Sequence, residues 1–215
     1  MIKLEINFSP EYEVQRVQYT LGKLQWFIDN KYKVNLPEKL KIDPDTTSNI
    51  SENQIREAVL AEYSESDYKT QKDFLLENWQ KVIEEGSIEL EKTSLTLKDT
   101  YIIYLTKYGV GGSYNLPNSI IVNIKYKYSF GLLHTVFHEM LHLIIHPWIT
   151  EYKISHWRKE KVVDLLLTKL APQLSKPQQL PIETENIDKI FNEYYPDIEL
   201  IIKNIDIKKE PAQSS

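Results

Sequence analysis

Residues 134 to 148 read HTVFHEMLHLIIHPW. Four of the chain's five histidines stand here, His134, His138, His142 and His146, each four residues from the next, and Glu139 directly follows the second. Residues four apart are neighbours on one helix face. The text around them is apolar nearly all round, with Leu133, Phe137, Met140, Leu141 and Ile144 on one stripe, and a helix of that kind is buried. Burying polar side chains without partners costs about 1–3 kcal/mol each. A row of imidazoles in such a helix therefore wants a partner, and a metal ion satisfies several at once.

His138-Glu139-Met140-Leu141-His142 is HExxH on a helix. Two imidazoles one turn apart can close on a single Zn²⁺ with bonds of about 2 Å. The glutamate, about 100° further round, reaches a water in the metal's open position rather than the metal itself. His146 lies eight residues from His138, about 12 Å along the axis, too far to share one ion with it. It reads as a cap at the helix C-terminus or a wall of a cleft, and His134 has no assigned role. Pro147 is expected to end the helix.

The chain has 215 residues, enough for one domain with a proper core. Its formal charge of −5 and scattered lysines speak against a nucleic-acid or anionic-membrane surface. It has no cysteine, so any metal must be held by His, Asp or Glu. The N-terminal residues lack the apolar run of a secretory signal, and no segment approaches the roughly 18 apolar residues of a membrane span. The expectation is a cytoplasmic protein.

Periodicity sets out the rest. Residues 1 to 8 alternate as a strand, and 11 to 30 read as a helix with Val14, Val17, Leu21, Leu24 and Phe27 inward. A loop with Pro37 and Pro44 covers 33 to 50. Ser51 and Gln54 suggest a capping box for a helix over 52 to 63, and Ser66 or Asp67 opens another to about 85. TYIIYLTKY (100–108) and SIIVNIKYKY (119–128) read as strands. Between them GGSYN, residues 111 to 115, reads as a short edge strand or an ordinary glycine turn. A second helix spans 155 to 170; APQLSKPQQLP follows as an extended linker; one or two helices broken at Pro196 and a polar tail end the chain. The predicted organisation is a unit over 1–170, with 1–100 mainly helical and 101–170 holding the chemistry, followed by 171–215. The fold class is α+β, a small mixed β-sheet packed on the buried HExxH helix.

Glu160 follows His142 by 18 residues on the next predicted helix, and Asp164 lies one turn on along the same face. With these in place the chain resembles the gluzincins, zinc metallopeptidases of the zincin clan with a glutamate ligand. The likeness covers roughly residues 105 to 165. It implies His138, His142 and Glu160 as zinc ligands, Glu139 as general base, and Asp164 as the acceptor that fixes His138, since a ligand imidazole needs its other N–H held. His156, one turn before Glu160, is the rival ligand. The order of strand, buried HExxH helix ending in a histidine, and acid-bearing helix is also similar to the ImmA/IrrE-type metallopeptidases, although Met140-Leu141 replaces the glycine often found there and the gap to Glu160 is short. The long motif of the metzincins is excluded, because Trp148 stands where its third histidine belongs.

The resemblance implies hydrolysis of peptide bonds in a peptide or protein substrate with one Zn²⁺ per chain. An oxyanion donor is expected in the connection behind the helix, with Tyr152 ahead of His156 and Arg158. Gly112, Ser113, Tyr114 and Asn115 would pair with an extended substrate. The alternatives are a non-catalytic binding or regulatory protein on the same scaffold, or an effector protease with a single protein target.

Overall fold

The computed structural model describes residues 2–40, 50–125 and 130–205. Four strands make one mixed sheet: β1 (Lys3–Asn7), β2 (Thr100–Thr106), β3 (Gly112–Asn115) and β4 (Ser119–Asn123), in the order β1-β2-β4-β3. β1 and β4 run parallel to β2, whereas β3 runs antiparallel to β4 and forms an edge. The parallel pair β1 and β2 is joined by the helical N-terminal region, as parallel strands require a long crossover.

That crossover contains α1 (Pro10–Gly22), α2 (Leu24–Asp29), α3 (Glu52–Glu62) and α4 (Glu65–Lys92). Ser9 caps α1 by accepting the Tyr12 N–H, with Pro10 in the first turn. The expected capping box of Ser51 and Gln54 opens α3. The single helix expected over 11–30 is two, broken at Lys23 directly after Gly22, a residue that weakens helices. α4 runs past the expected end at 85 because Gly86 is a packing residue: a Cβ there would lie 2.6 Å from the Leu170 carbonyl oxygen. The loop expected over 33–50 falls partly outside the described residues, as does the end of the strand expected over 119–128.

The motif helix is α5 (Phe130–Glu151), followed by α6 (His156–Leu170), α7 (Glu185–Tyr194) and α8 (Ile198–Asn204). α5 runs through Pro147 instead of stopping at it. Pro147 stands on the exposed side while Ile145 and Ile149 are buried, so the core holds the last turn despite the lost hydrogen bond. Leu132, Phe137, Met140 and Leu141 of α5 pack with Ile103 and Ile120 of the sheet, Trp79 of α4 and Val163 of α6. Ile187, Phe191, Ile198 and Ile201 belong to that same core. The segment after 170, read from the sequence as a linker with trailing helices, thus closes the unit around α5. A smaller cluster of Val14, Val17, Ile55, Val59 and Tyr108 clamps α1 to α3 beside β2.

Candidate metal centre and cleft

α5 sets His138 and His142 one turn apart, and α6 crosses it so that Glu160 faces both. The Nε2 atoms of the two histidines lie 3.0 Å apart, and Glu160 Oε2 lies 3.2 Å from the first and 3.3 Å from the second. Three ligands at about 2.0–2.1 Å from a tetrahedral ion stand about 3.3–3.4 Å from one another. The triangle has nearly that edge, so the three atoms can hold a metal ion between them. All three residues are buried, and Nδ1 of both histidines is buried without a hydrogen-bond partner. Buried polar atoms of that kind are unusual in a finished core, and a shared proton can serve only one edge of the triangle.

Protonation follows the same geometry. Burial pushes His142 down to about 4, with Glu160 pulling weakly the other way. Burial also opposes charge on His138, but the hydrogen bond to Glu160 and the nearby Glu139, Glu160 and Asp164 outweigh it and move that imidazole up. Glu160 is disfavoured as a charge by burial, yet the bonds from His138 and His142 hold it far below the usual carboxylate range. A carboxylate and a neutral imidazole are the forms that bind a metal.

Asp164 stands beside His138 as the resemblance implied, but with Oδ1 3.8 Å from Nδ1, beyond hydrogen-bond length. It accepts instead from the backbone N–H of Gln178 at 2.9 Å. The Gln178 side chain donates to Asp164 at 3.3 Å and to Glu160 at 3.4 Å. Gln178 lies in the proline-rich stretch, which carries no periodic signal, and sequence reasoning missed it.

The cluster lies at the floor of a cleft of about 690 Å³. One wall is β3, of which Gly112, Ser113 and Tyr114 line the cleft. Asn115, also expected there, is exposed at the far end of the strand and does not. Gly112 is there for room: a Cβ would run into Glu139 Oε1 and stand 2.7 Å from Thr135 Cγ2. Glu139 therefore rests its carboxyl against the backbone of the edge strand, inside the cleft. Tyr114 stacks on His142 with centroids 5.4 Å apart, and its hydroxyl is pushed up to about 12 by burial and by Glu139 and Glu160. It meets His146 Nδ1 at 3.1 Å, so His146 backs Tyr114 and does not itself line the cleft.

The opposite wall comes from the N-terminal region, with Arg16 of α1, Trp26 and Phe27 of α2, and Tyr32. None was read from the sequence as part of a site, Phe27 having been expected only as an inward residue of its helix. Arg16 had a local signal, for Glu13, Arg16 and Thr20 form a polar row at helical spacing, and all three are buried. Of the three expected oxyanion donors only His156 lines the cleft, its Nε2 bonded to the Tyr32 hydroxyl and its Nδ1 3.8 Å from Glu160 Oε1. Tyr152 is turned away and donates to Glu199 at 2.9 Å, because the extra helical turn past Pro147 carries it to the α8 side. Arg158 donates to the Ile205 carbonyl. His134 Nδ1 pairs with the Leu174 carbonyl at 2.8 Å, a satisfied histidine outside the cluster.

The chain matches no family model, no curated protein and no solved structure. Among the described residues no helix is long and apolar enough to cross a membrane.

Proposed function

We propose that the chain is a zinc-dependent metallopeptidase of the zincin type, with His138, His142 and Glu160 as ligands and Glu139 as general base. The observation that carries this is the meeting of those three ligand atoms on the floor of a cleft that also holds Glu139 and an edge strand. Zinc fits the donor set of two imidazoles and one carboxylate better than calcium or magnesium, which prefer oxygen.

Zinc, when bound, supplies Lewis-acid polarisation of a carbonyl oxygen and of a water. The protein does the rest. The backbone of β3 pairs with an extended peptide, aligning the scissile bond along the cleft. Glu139, held against Gly112, takes the proton of the water that attacks the carbonyl carbon. It returns that proton to the amine as the C–N bond breaks. Tyr114, packed on His142, fixes the ring of one ligand and borders the reacting centre. A site that only clipped the fold together would have no use for a carboxylate in Glu139's position.

Glu139→Gln tests this reading. The variant is expected to keep one zinc per chain and to lose cleavage of a mixture of unstructured peptides by about 10²–10⁴-fold, the usual share of general-base catalysis. Undiminished cleavage by the variant would rule the mechanism out.

A further inference from the structure

Tyr32 reaches the cleft from the turn that ends α2. The Lys31 N–H donates to the Ile28 carbonyl and the Tyr32 N–H to the Phe27 carbonyl, both at 2.9 Å, and Lys31 stands at φ +59°. That is a Schellman motif with a lysine where glycine is the usual residue. A left-handed backbone is disfavoured for a residue with a side chain, and here it throws Tyr32 back over its own helix. The Tyr32 ring stacks on Trp26 with centroids 5.6 Å apart and on Trp157 at 6.4 Å, and Phe27 meets it nearly at right angles. So held, the hydroxyl meets His156 Nε2 at 2.5 Å, and both residues line the cleft.

A neutral imidazole carries one N–H, and the groups facing its two nitrogens decide which of them holds it. Nδ1 of His156 faces Oε1 of Glu160 at 3.8 Å, a carboxylate oxygen that can only accept. Nε2 faces a phenol, which can donate. Burial, with Glu160 and Glu139 acting in the same direction, pushes the Tyr32 hydroxyl up, so its proton stays on it. Both sides favour one tautomer, with the proton on Nδ1 and with Nε2 accepting from Tyr32. At 3.8 Å the Nδ1–H is beyond hydrogen-bond length of Oε1, which Lys159 Nζ also approaches, at 3.4 Å. That N–H is thus aimed toward the floor of the cleft without being bonded to Glu160.

We propose that Tyr32 is a positioning residue that holds His156 as the Nδ1–H tautomer, and that this N–H donates to the carbonyl oxygen of the substrate. The donation strengthens as the water oxygen bonds to the carbonyl carbon and the C=O π pair moves onto the carbonyl oxygen. This rests on the peptidase reading. It gives the helical N-terminal region a part in the chemistry, through a turn far from the motif in the chain.

Nitrogen-15 NMR of the side chains, at about pH 8 where a free imidazole is neutral, reads the tautomer directly; the His156 signals are those lost in His156→Asn. The expected result is a proton on Nδ1 in the unaltered chain. In Tyr32→Phe, which keeps the ring and loses only the hydroxyl, much of that proton should move to Nε2. Loaded with zinc, Tyr32→Phe should keep one ion per chain and lower kcat on the best-cleaved peptide by about 10-fold or more at unchanged KM, a part of what one oxyanion donor supplies. His156→Asn sets an amide N–H near the same point and has no second nitrogen to hold, so adding Tyr32→Phe to it should cost no further rate. A proton on Nε2 in the unaltered chain, or an equal loss from Tyr32→Phe in both backgrounds, overturns the assignment. Failure of the peptidase reading looks different: a chain with the expected tautomer that cleaves nothing keeps the Tyr32–His156 pair and loses the enzyme.

Discussion

Glu13 on α1 and Glu160 on α6 are both carboxylates enclosed by protein, and they are furnished in opposite ways. Around Glu13 stand donors that need nothing else: the Tyr68 and Thr106 hydroxyls and the Lys107 N–H all point at it. Burial wins there, and the Glu13 carboxyl is pushed up despite those bonds. Around Glu160 stand two imidazole nitrogens 3.0 Å apart, whose other nitrogens are orphaned, and the carboxyl is held down against its own burial. The first cluster is complete as folded. The second offers three ligand atoms that could hold a metal ion between them. A buried acid is thus a weak sign of function by itself; the partners left unsatisfied around it are the informative part.

The two clusters should differ most at His142. His142→Ala should lose zinc altogether by elemental analysis, whereas Glu13→Ala should keep one zinc per chain. Equal zinc content in the two variants would erase the distinction. In denaturant unfolding the order reverses: Glu13→Ala strands three donors, each costing about 1–3 kcal/mol, and should destabilise the metal-free chain by about 3 kcal/mol or more. Gly112→Ala sharpens the functional side, since the new methyl displaces Glu139 and leaves the ligands in place. Peptide turnover should fall about 100-fold, the usual penalty for a misplacement near 1 Å, with zinc content unchanged. The smallest effect belongs to Asp164→Asn. With Oδ1 3.8 Å from His138 rather than bonded to it, the substitution should weaken zinc, followed by competition with a chelator, by about 10-fold, the low end for residues that support a ligand.

Residues close in the chain were the legible ones. HExxH is local, so helical spacing alone brought His138, Glu139 and His142 together; Glu160 and Asp164 came from the resemblance to the gluzincins, added to their place one turn apart on the next helix. The capping box at Ser51, the edge strand at Gly112 and the break at Pro196 were legible for the same reason. Strand order and parallel pairing were not, because they depend on contacts across some 95 residues between β1 and β2. The far wall of the cleft escaped likewise, since Arg16, Trp26 and Tyr32 meet the motif only in three dimensions. Pro147 misled twice: tertiary packing of Ile149 overrode its helix-breaking tendency, and the added turn moved Tyr152 out of the cleft. Chain length from Glu160 to Gln178 gave no hint that a proline-rich stretch would fold back over the ligand.

The central claim is that one ion binds where His138, His142 and Glu160 meet. Zinc K-edge absorption of the zinc-loaded chain, with metal content measured on the same sample, tests it most directly. The expected result is one zinc per chain with two imidazole nitrogens at about 2.0–2.1 Å and a carboxylate oxygen at about 2.0–2.2 Å, lost in His142→Ala. A chain that takes up no zinc, or zinc whose imidazole signal is unchanged in His142→Ala, would contradict it.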